Sequence, residues 1–175
     1  MKLFDLNKCT LKARDPFIIY DAENKVYEEV KRPRNGIYKT TVRAGSYNLP
    51  PGVKIAPFQP AKLPELPPRQ RFRNIGRLKV IYSDQAPKAG LVNWKKGVIL
   101  LNPYLRREEP AKRDFILFHE LGHARYKSEY FCDLFAAENC NRKGDSLNKI
   151  IDLVTTARPY SNTTEKTVRT LNKHV

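Results

Sequence analysis

Two of the three histidines in this chain lie four residues apart, in the segment His119-Glu120-Leu121-Gly122-His123. On a helix, the two imidazoles project from the same face about one turn apart, close enough to bind one metal ion. The glutamate between them then lies beside the metal, where it can take a proton from a bound water. The spacing therefore predicts a metal site with hydrolytic chemistry.

Two acidic residues downstream are candidates for completing this site. Glu129 and Asp133 lie four apart on a second predicted helix, hence on one face. Two imidazoles and one carboxylate give Zn²⁺ three protein ligands and leave a fourth position open for water, as in catalytic zinc sites. We predict that Glu129 is the third ligand and that Asp133 accepts a hydrogen bond from the outer nitrogen of His119 or His123. The reverse assignment, with Asp133 on the metal, stays open, as do cobalt or manganese in place of zinc.

The expected chemistry is hydrolysis of a peptide bond. Zinc lowers the pKa of its water toward about 7. Glu120 acts as the general base that takes this proton and passes it to the leaving amine. Tyr126 and Tyr130 are candidate donors to the oxyanion, and packing is the alternative role for both.

The charge of the chain is strongly positive, with 33 basic against 18 acidic residues and a formal net charge of +15. Such a field attracts nucleic acid, anionic membrane surfaces or acidic polymers without specificity, although a solvated basic surface is the plain alternative. The candidate contacts to nucleic acid or a nucleoprotein form two clusters: Lys31, Arg32 and Arg34, and then Arg69, Arg71, Arg73 and Arg77.

Cysteine usage and the N-terminus favour a cytoplasmic protein. The three cysteines are odd in number and form no CxxC pair, which fits reduced thiols better than a disulfide framework. The first residues lack the apolar run of a signal peptide, and the longest apolar stretches are four or five residues. No transmembrane segment and no membrane partner are therefore expected.

Composition divides the chain into three segments. Residues 1–49 are β-rich, with strand patterns around 16–20, 25–30, 37–42 and 46–49, and a turn signal at Asn35-Gly36. Residues 50–75 form a predicted proline-rich, basic linker. Residues 76–175 read as α+β: a strand at 78–82, a hairpin of 91–94 with 98–102, and helices beginning near Pro110, at Glu129, near Leu147 and near Thr163. Close approach of another backbone would explain Gly122 inside the first helix, and an incidental glycine is the alternative.

The segment HELGHARYKSEYFCDLFA resembles the active-site core of the zincin metallopeptidases, which use HExxH on a helix and a downstream ligand. The stretch from Glu129 to Asp133 is similar to the ExxAD element of glutamate-liganded zincins, with Cys132 where alanine is usual. Residues 98–102 resemble the edge strand that aligns an extended substrate. Two features depart from the pattern. The interval from His123 to Glu129 is much shorter than in most glutamate-liganded zincins. It equals the interval found in metzincins, but Tyr126 stands where metzincins have a turn glycine.

The resemblance covers roughly residues 76–140 and implies a minimal zincin core, a small antiparallel sheet with the active-site helix and following helices, preceded by the β-rich segment. It implies a zinc peptidase acting on a polypeptide held as an added strand. In style the chain also resembles phage-encoded proteins, which would place it in a host cytoplasm or a virion. The alternative is a structural or assembly component of a virion or nucleoprotein particle that retains the metal-binding core. A third hypothesis is a peptidase stimulated by DNA.

Overall fold

The computed structural model describes residues 1–68, 78–86, 89–93, 96–157 and 161–175. The chain is α+β, with strands in its first part and helices in its last. It divides into two compact units. The first unit comprises Met1–Ala61, Asn141–Lys149 and Val175, and the second comprises Lys62–Cys140 and Ile150–His174. No helix in the described ranges has both the length and the apolar character needed to cross a membrane.

The strands are β1 (Lys2–Leu6), β2 (Cys9–Ala13), β3 (Phe17–Asp21), β4 (Val26–Val30), β5 (Pro33–Arg34), β6 (Ile37–Val42), β7 (Gly45–Leu49), β8 (Lys54–Pro57), β9 (Lys79–Tyr82), β10 (Gly90–Asn93) and β11 (Val98–Leu101). A 3-10 helix spans Pro103–Arg107. The α-helices are α1 (Pro110–His123), α2 (Glu129–Lys143), α3 (Leu147–Ala157) and α4 (Asn162–Asn172). The predicted strands of residues 16–49, the hairpin and the four helices are thus confirmed, within a few residues at their ends.

Two four-stranded antiparallel sheets build the first unit. One has the order β1-β7-β3-β4 and the other β5-β6-β2-β8. Alternating apolar residues of both sheets form one core, which includes Leu11, Ile19 and Val42. Asn35 and Gly36 both have positive φ, 52° and 75°, as a two-residue turn between β5 and β6 requires.

The N-terminal unit extends further than residues 1–49. Strand β8 lies in the segment predicted to be a linker and pairs with β2, so this part is sheet rather than connector. Pro57 is tolerated because β8 is an edge strand of its sheet, where the missing N–H breaks no ladder. Residues 69–75 of the predicted linker lie outside the described residues.

Residues 141–149 belong to the same unit, and polar groups join them to residues that follow β6 and β8. The half-buried Arg43 guanidinium forms an ion pair with the fully buried Asp145 carboxylate. Asn141 accepts a hydrogen bond from the Ala61 amide at 2.8 Å through its side-chain oxygen. Ser146 accepts from the Lys149 amide at 3.1 Å, which caps the start of α3.

The second unit contains a three-stranded sheet with the order β10-β11-β9. The prediction that residues 98–102 form an edge strand is wrong, because β11 lies between β10 and β9 and β10 is at the edge of the described sheet. The sheet is also mixed rather than purely antiparallel, since β11 and β9 run parallel. Its apolar face and α1 share a core that includes Ile99, Leu101 and Ile116.

Helix α1 begins where the sequence predicts. Pro110 occupies its first position, where the missing N–H costs nothing. Glu108, just before the helix, pairs with Lys112 at 2.9 Å. Phe115 and Ala124 are buried, as expected, while Phe118 and Leu121 are half-buried. The helix therefore presents its last turns, with both histidines, beside the sheet.

Candidate metal centre

Helix α1 brings the two histidines together as their spacing predicts. The ring centroids of His119 and His123 lie 4.8 Å apart, and their Nε2 atoms are 3.1 Å apart. Both side chains are mostly buried, with 14% and 21% exposed, so both rings are largely shielded from solvent.

The third member of the cluster is Glu129, the first residue of α2. One of its carboxylate oxygens lies 3.2 Å from Nε2 of His119, and the other lies 3.3 Å from Nε2 of His123. The side chain is 46% exposed, so the acidic side of the cluster is open to solvent. Among the described residues, these three form the one group whose geometry could hold a metal ion.

The spacing of these groups is compatible with one shared ion. The two Nε2 atoms are 3.1 Å apart, and they lie 3.2 and 3.3 Å from different oxygens of the Glu129 carboxylate. One ligand atom from each of the three residues lies within 4.8 Å of the other two. The donor set of two imidazoles and one carboxylate also suits zinc. The residues present therefore fit the ion.

Asp133 lies on the opposite side of His119 from the cluster. Its Oδ1 is 2.9 Å from Nδ1 of His119, and the carboxylate is fully buried. A buried carboxylate at this position holds the proton on Nδ1, which leaves the lone pair of Nε2 directed at the cluster. Asp133 is therefore placed to orient the His119 ring, whereas the Glu129 carboxylate lies among the candidate ligand atoms.

Helix α4 adds a residue that the sequence did not reveal. The Thr167 hydroxyl donates to Oδ2 of Asp133 at 3.2 Å, and the threonine is fully buried. Each oxygen of the carboxylate therefore has its own partner, the imidazole on one and the hydroxyl on the other. The only signal for Thr167 in the sequence was its place on an amphipathic segment 34 residues after Asp133.

His123 has a different neighbour at its outer nitrogen. The Sγ atom of Cys132 lies 3.5 Å from Nδ1 of His123 and 3.9 Å from the carbonyl oxygen of Tyr126. Cys132 is fully buried. The thiol thus meets the ring at Nδ1, whereas the cluster lies at Nε2.

Gly122 explains how α1 and α2 approach closely enough to share the site. A Cβ atom on Gly122 would lie 2.8 Å from Cα and 3.2 Å from the carbonyl oxygen of Cys132. Backbone atoms cannot move aside as a flexible side chain can. The predicted close approach of another backbone at Gly122 is confirmed, and the neighbour is α2.

Glu120 lies against the edge strand of the sheet. A Cβ atom on Gly90 would come within 2.9 Å of Cγ and 3.2 Å of Oε1 of Glu120. The carboxylate therefore packs beside the backbone of β10, and it is not a member of the metal-ligand cluster. Gly90 is a second residue that sequence reasoning missed, since nothing in its local pattern links it to Glu120.

The two candidate oxyanion donors, Tyr126 and Tyr130, both lie against other side chains. Tyr126 is buried, with its ring centroid 6.0 Å from that of Phe131 and 6.2 Å from that of Phe135. The Tyr130 hydroxyl is 3.0 Å from Oγ1 of Thr170 on α4. These surroundings are those of packed side chains, and an oxyanion role stays a prediction for both.

The basic residues predicted to meet nucleic acid are distributed unevenly. Lys31 forms an ion pair with Glu29. Arg32 and Arg34 are exposed. Arg69, Arg71, Arg73 and Arg77 lie outside the described residues.

Comparison with known proteins yields no relative: no protein family, no curated protein and no solved structure matches this chain.

Proposed function

We propose that the chain is a zinc-dependent peptidase of the zincin type, with Glu120 as its general base. The observation that carries the proposal is the convergence of His119, His123 and Glu129, which each offer one ligand atom within 4.8 Å of the others. The Asp133 carboxylate beside Nδ1 of His119 and the exposure of the Glu129 side chain support it further.

Three side chains that can each donate an electron pair to a metal meet on one side of His119. With its proton on Nδ1, His119 presents the lone pair of Nε2 to the Glu129 carboxylate and to Nε2 of His123. Either an N–H group of His123 or a metal ion can occupy the space between these atoms, and two imidazoles with one carboxylate suit a metal ion.

The chain's own residues would divide the catalytic work. Zinc, when bound, supplies Lewis acidity that polarises a carbonyl and lowers the pKa of water. Glu120 holds the proton taken from the attacking water at its carboxylate and delivers it to the leaving nitrogen. Asp133 and Thr167 keep the His119 ring from rotating during turnover.

Strand β10 is the best candidate for aligning the substrate. It is an edge strand of the described sheet, and Glu120 packs against Gly90 at its first residue. An edge strand offers backbone N–H and C=O groups to an extended peptide, which can add as a further strand. A polypeptide bound there would pass beside the general base.

The test is to measure zinc content and peptide cleavage for the wild type and for Glu120→Gln. We expect about one zinc per chain in both proteins, with cleavage of a peptide mixture, read by mass spectrometry, only by the wild type. Glu120→Gln keeps the shape of the side chain and removes the base, so it isolates the chemical step. Zinc binding without cleavage by the wild type would favour the alternative, a structural component with a metal-binding core. Absence of zinc would contradict both.

A further inference from the structure

We infer that the sheet β5-β6-β2-β8 of the first unit binds the phosphate backbone of a nucleic acid through a row of three lysines. The row consists of Lys39 on β6, Lys12 on β2 and Lys54 on β8. In the sheet register Lys12 is directly opposite both Lys39 and Lys54. Directly opposed residues point to the same face, so the three ammonium groups share one side of the sheet.

The unit separates its charges between its two sheets. The strands of the row's sheet, β5, β6, β2 and β8, contain four basic residues and no acidic one. The strands of the other sheet contain Asp5, Asp21, Glu28 and Glu29, and a single lysine, Lys2. Three adjacent strands place the lysines about 5 Å apart across the sheet. The row is therefore a continuous line of positive charge with no carboxylate on its own strands.

This arrangement costs the free protein stability, which a polyanion would restore. Like charges directly opposite one another on a sheet repel. Partial desolvation of the ammonium group lowers the pKa of Lys39, and the charges of Lys12 and Arg34 lower it further. Lys39 also donates to the side-chain oxygen of Gln59 at 3.2 Å, a neutral partner that leaves its charge uncompensated. Lys39 and Lys54 are exposed and Lys12 is half-buried, so the ammonium groups are within reach of a ligand.

The chemistry of the face favours nucleic acid over the other anionic partners. Protein interfaces are enriched in aromatic residues and depleted of lysine at their centre, whereas this row is all lysine. Membrane-surface binding needs apolar side chains to insert, and Ile37 is the one exposed large apolar residue among the described residues of this face. DNA carries one charge per about 1.7 Å of helix axis, which suits a line of lysines. Lysine contacts to phosphate carry no sequence information, so the binding is independent of base sequence.

The experiment measures binding of labelled DNA by fluorescence anisotropy between about 50 and 200 mM salt. The probes are a duplex oligonucleotide and one of its single strands. The row variant is Lys12→Gln/Lys39→Gln/Lys54→Gln. The matched control is Lys2→Gln/Lys25→Gln/Lys31→Gln, which removes the same charge from the same unit. Two of the control lysines, Lys25 and Lys31, are already paired with Glu23 and Glu29.

We expect the row variant to bind more weakly and the slope of log affinity against log salt to become shallower by about 3, close to one unit for each lost phosphate contact. The control should change the slope by less than about 1. Equal weakening by both variants would overturn the inference, because net charge alone would then explain binding. Failure of the wild type to bind either probe would overturn it too, as would row-dependent binding to anionic vesicles without binding to DNA. The exposed single variant Lys54→Gln repeats the test without risk to folding.

Discussion

At the residue scale, the two histidines are held by different chemistry. Nδ1 of His119 faces a buried carboxylate that is itself held by Thr167, whereas Nδ1 of His123 faces the Cys132 thiol. A carboxylate is a strong acceptor and a thiol a weak one. The His119 side of the site is therefore the more rigid, and changes to its supporting residues should affect metal affinity most.

Removal of these supporting residues should weaken zinc binding in a fixed order. Asp133→Ala removes the acceptor for His119 and should lower zinc affinity by about 10–100-fold. Thr167→Val keeps the shape of the side chain but loses the hydroxyl, so it should lower affinity in the same direction by less. Thr167→Ser should restore most of the loss. Competition with a chromophoric chelator measures all three, and an unchanged affinity for Asp133→Ala would refute the orienting role.

A second residue, Glu28 in the first unit, should make stability depend on pH. Burial raises its pKa to about 7, although hydrogen bonds from Ser146 and Thr40 and the charge of Lys149 oppose the shift. The folded state therefore favours the protonated acid. This contribution is complete below the ordinary pKa of 4.5 and is lost as the pH rises through about 7.

Glu28→Gln should remove this dependence. At about 1.4 kcal/mol per pKa unit, the wild type should lose roughly 3 kcal/mol of unfolding free energy between acidic and alkaline pH relative to the variant. The variant should accordingly be the more stable protein at pH about 8 and close to the wild type near pH about 5. Urea unfolding at both pH values measures the difference. Parallel pH curves for the two proteins would show that Glu28 ionises normally.

At the element scale, the candidate site depends on the contact between α1 and α2, because the candidate ligands come from both helices. Gly122→Ala tests this contact. Alanine is the better helix former by about 1 kcal/mol, so an isolated helix would be stabilised. Here the new Cβ would meet backbone atoms of Cys132 at 2.8 Å and push the helices apart. We expect a lower melting temperature and weaker zinc binding, measured by calorimetry and chelator competition. A higher melting temperature with unchanged zinc affinity would contradict the close contact.

The edge strand β10 gives a complementary prediction. In Gly90→Ala the added Cβ would overlap Glu120, whose flexible side chain would move in response. A displacement of about 1 Å at a reacting group can cost around 100-fold in rate. We expect a large loss of peptide cleavage at unchanged zinc content. Asp133→Ala, by contrast, is expected to lower the affinity for zinc. Loss of zinc from Gly90→Ala would mean that the residue acts on the ligands instead of on the base.

At the scale of the whole molecule, the sequence predicted those elements that depend on interactions between residues close together in the chain. Local signals placed the four helices, the hairpin and the Asn35-Gly36 turn, because caps, prolines and periodicity act within a few residues. Strand β8 was missed because proline looks like a connector until the strand's position at the sheet edge is known. Strands β1 and β2 are short and carry charges, so they showed no clear alternation.

The residues of the candidate site also differ in whether local sequence patterns could predict them. His119, His123, Glu129 and Asp133 lie within 15 residues, on two helices whose periodicity fixes their faces, so their grouping was predictable. Thr167 and Gly90 reach the site only through tertiary packing of α4 and β10, which no local pattern encodes. The lysine row likewise appears only once the strand register is known.

X-ray absorption at the zinc edge of the purified, zinc-loaded chain tests the central claim most directly. We predict a first shell of nitrogen and oxygen at about 2.0–2.1 Å, with the outer-shell signature of two imidazoles and no sulfur. His123→Ala should lose one imidazole from that signature. Sulfur scattering at about 2.3 Å, or a signature with no imidazole, would contradict the arrangement of His119, His123 and Glu129 around one ion.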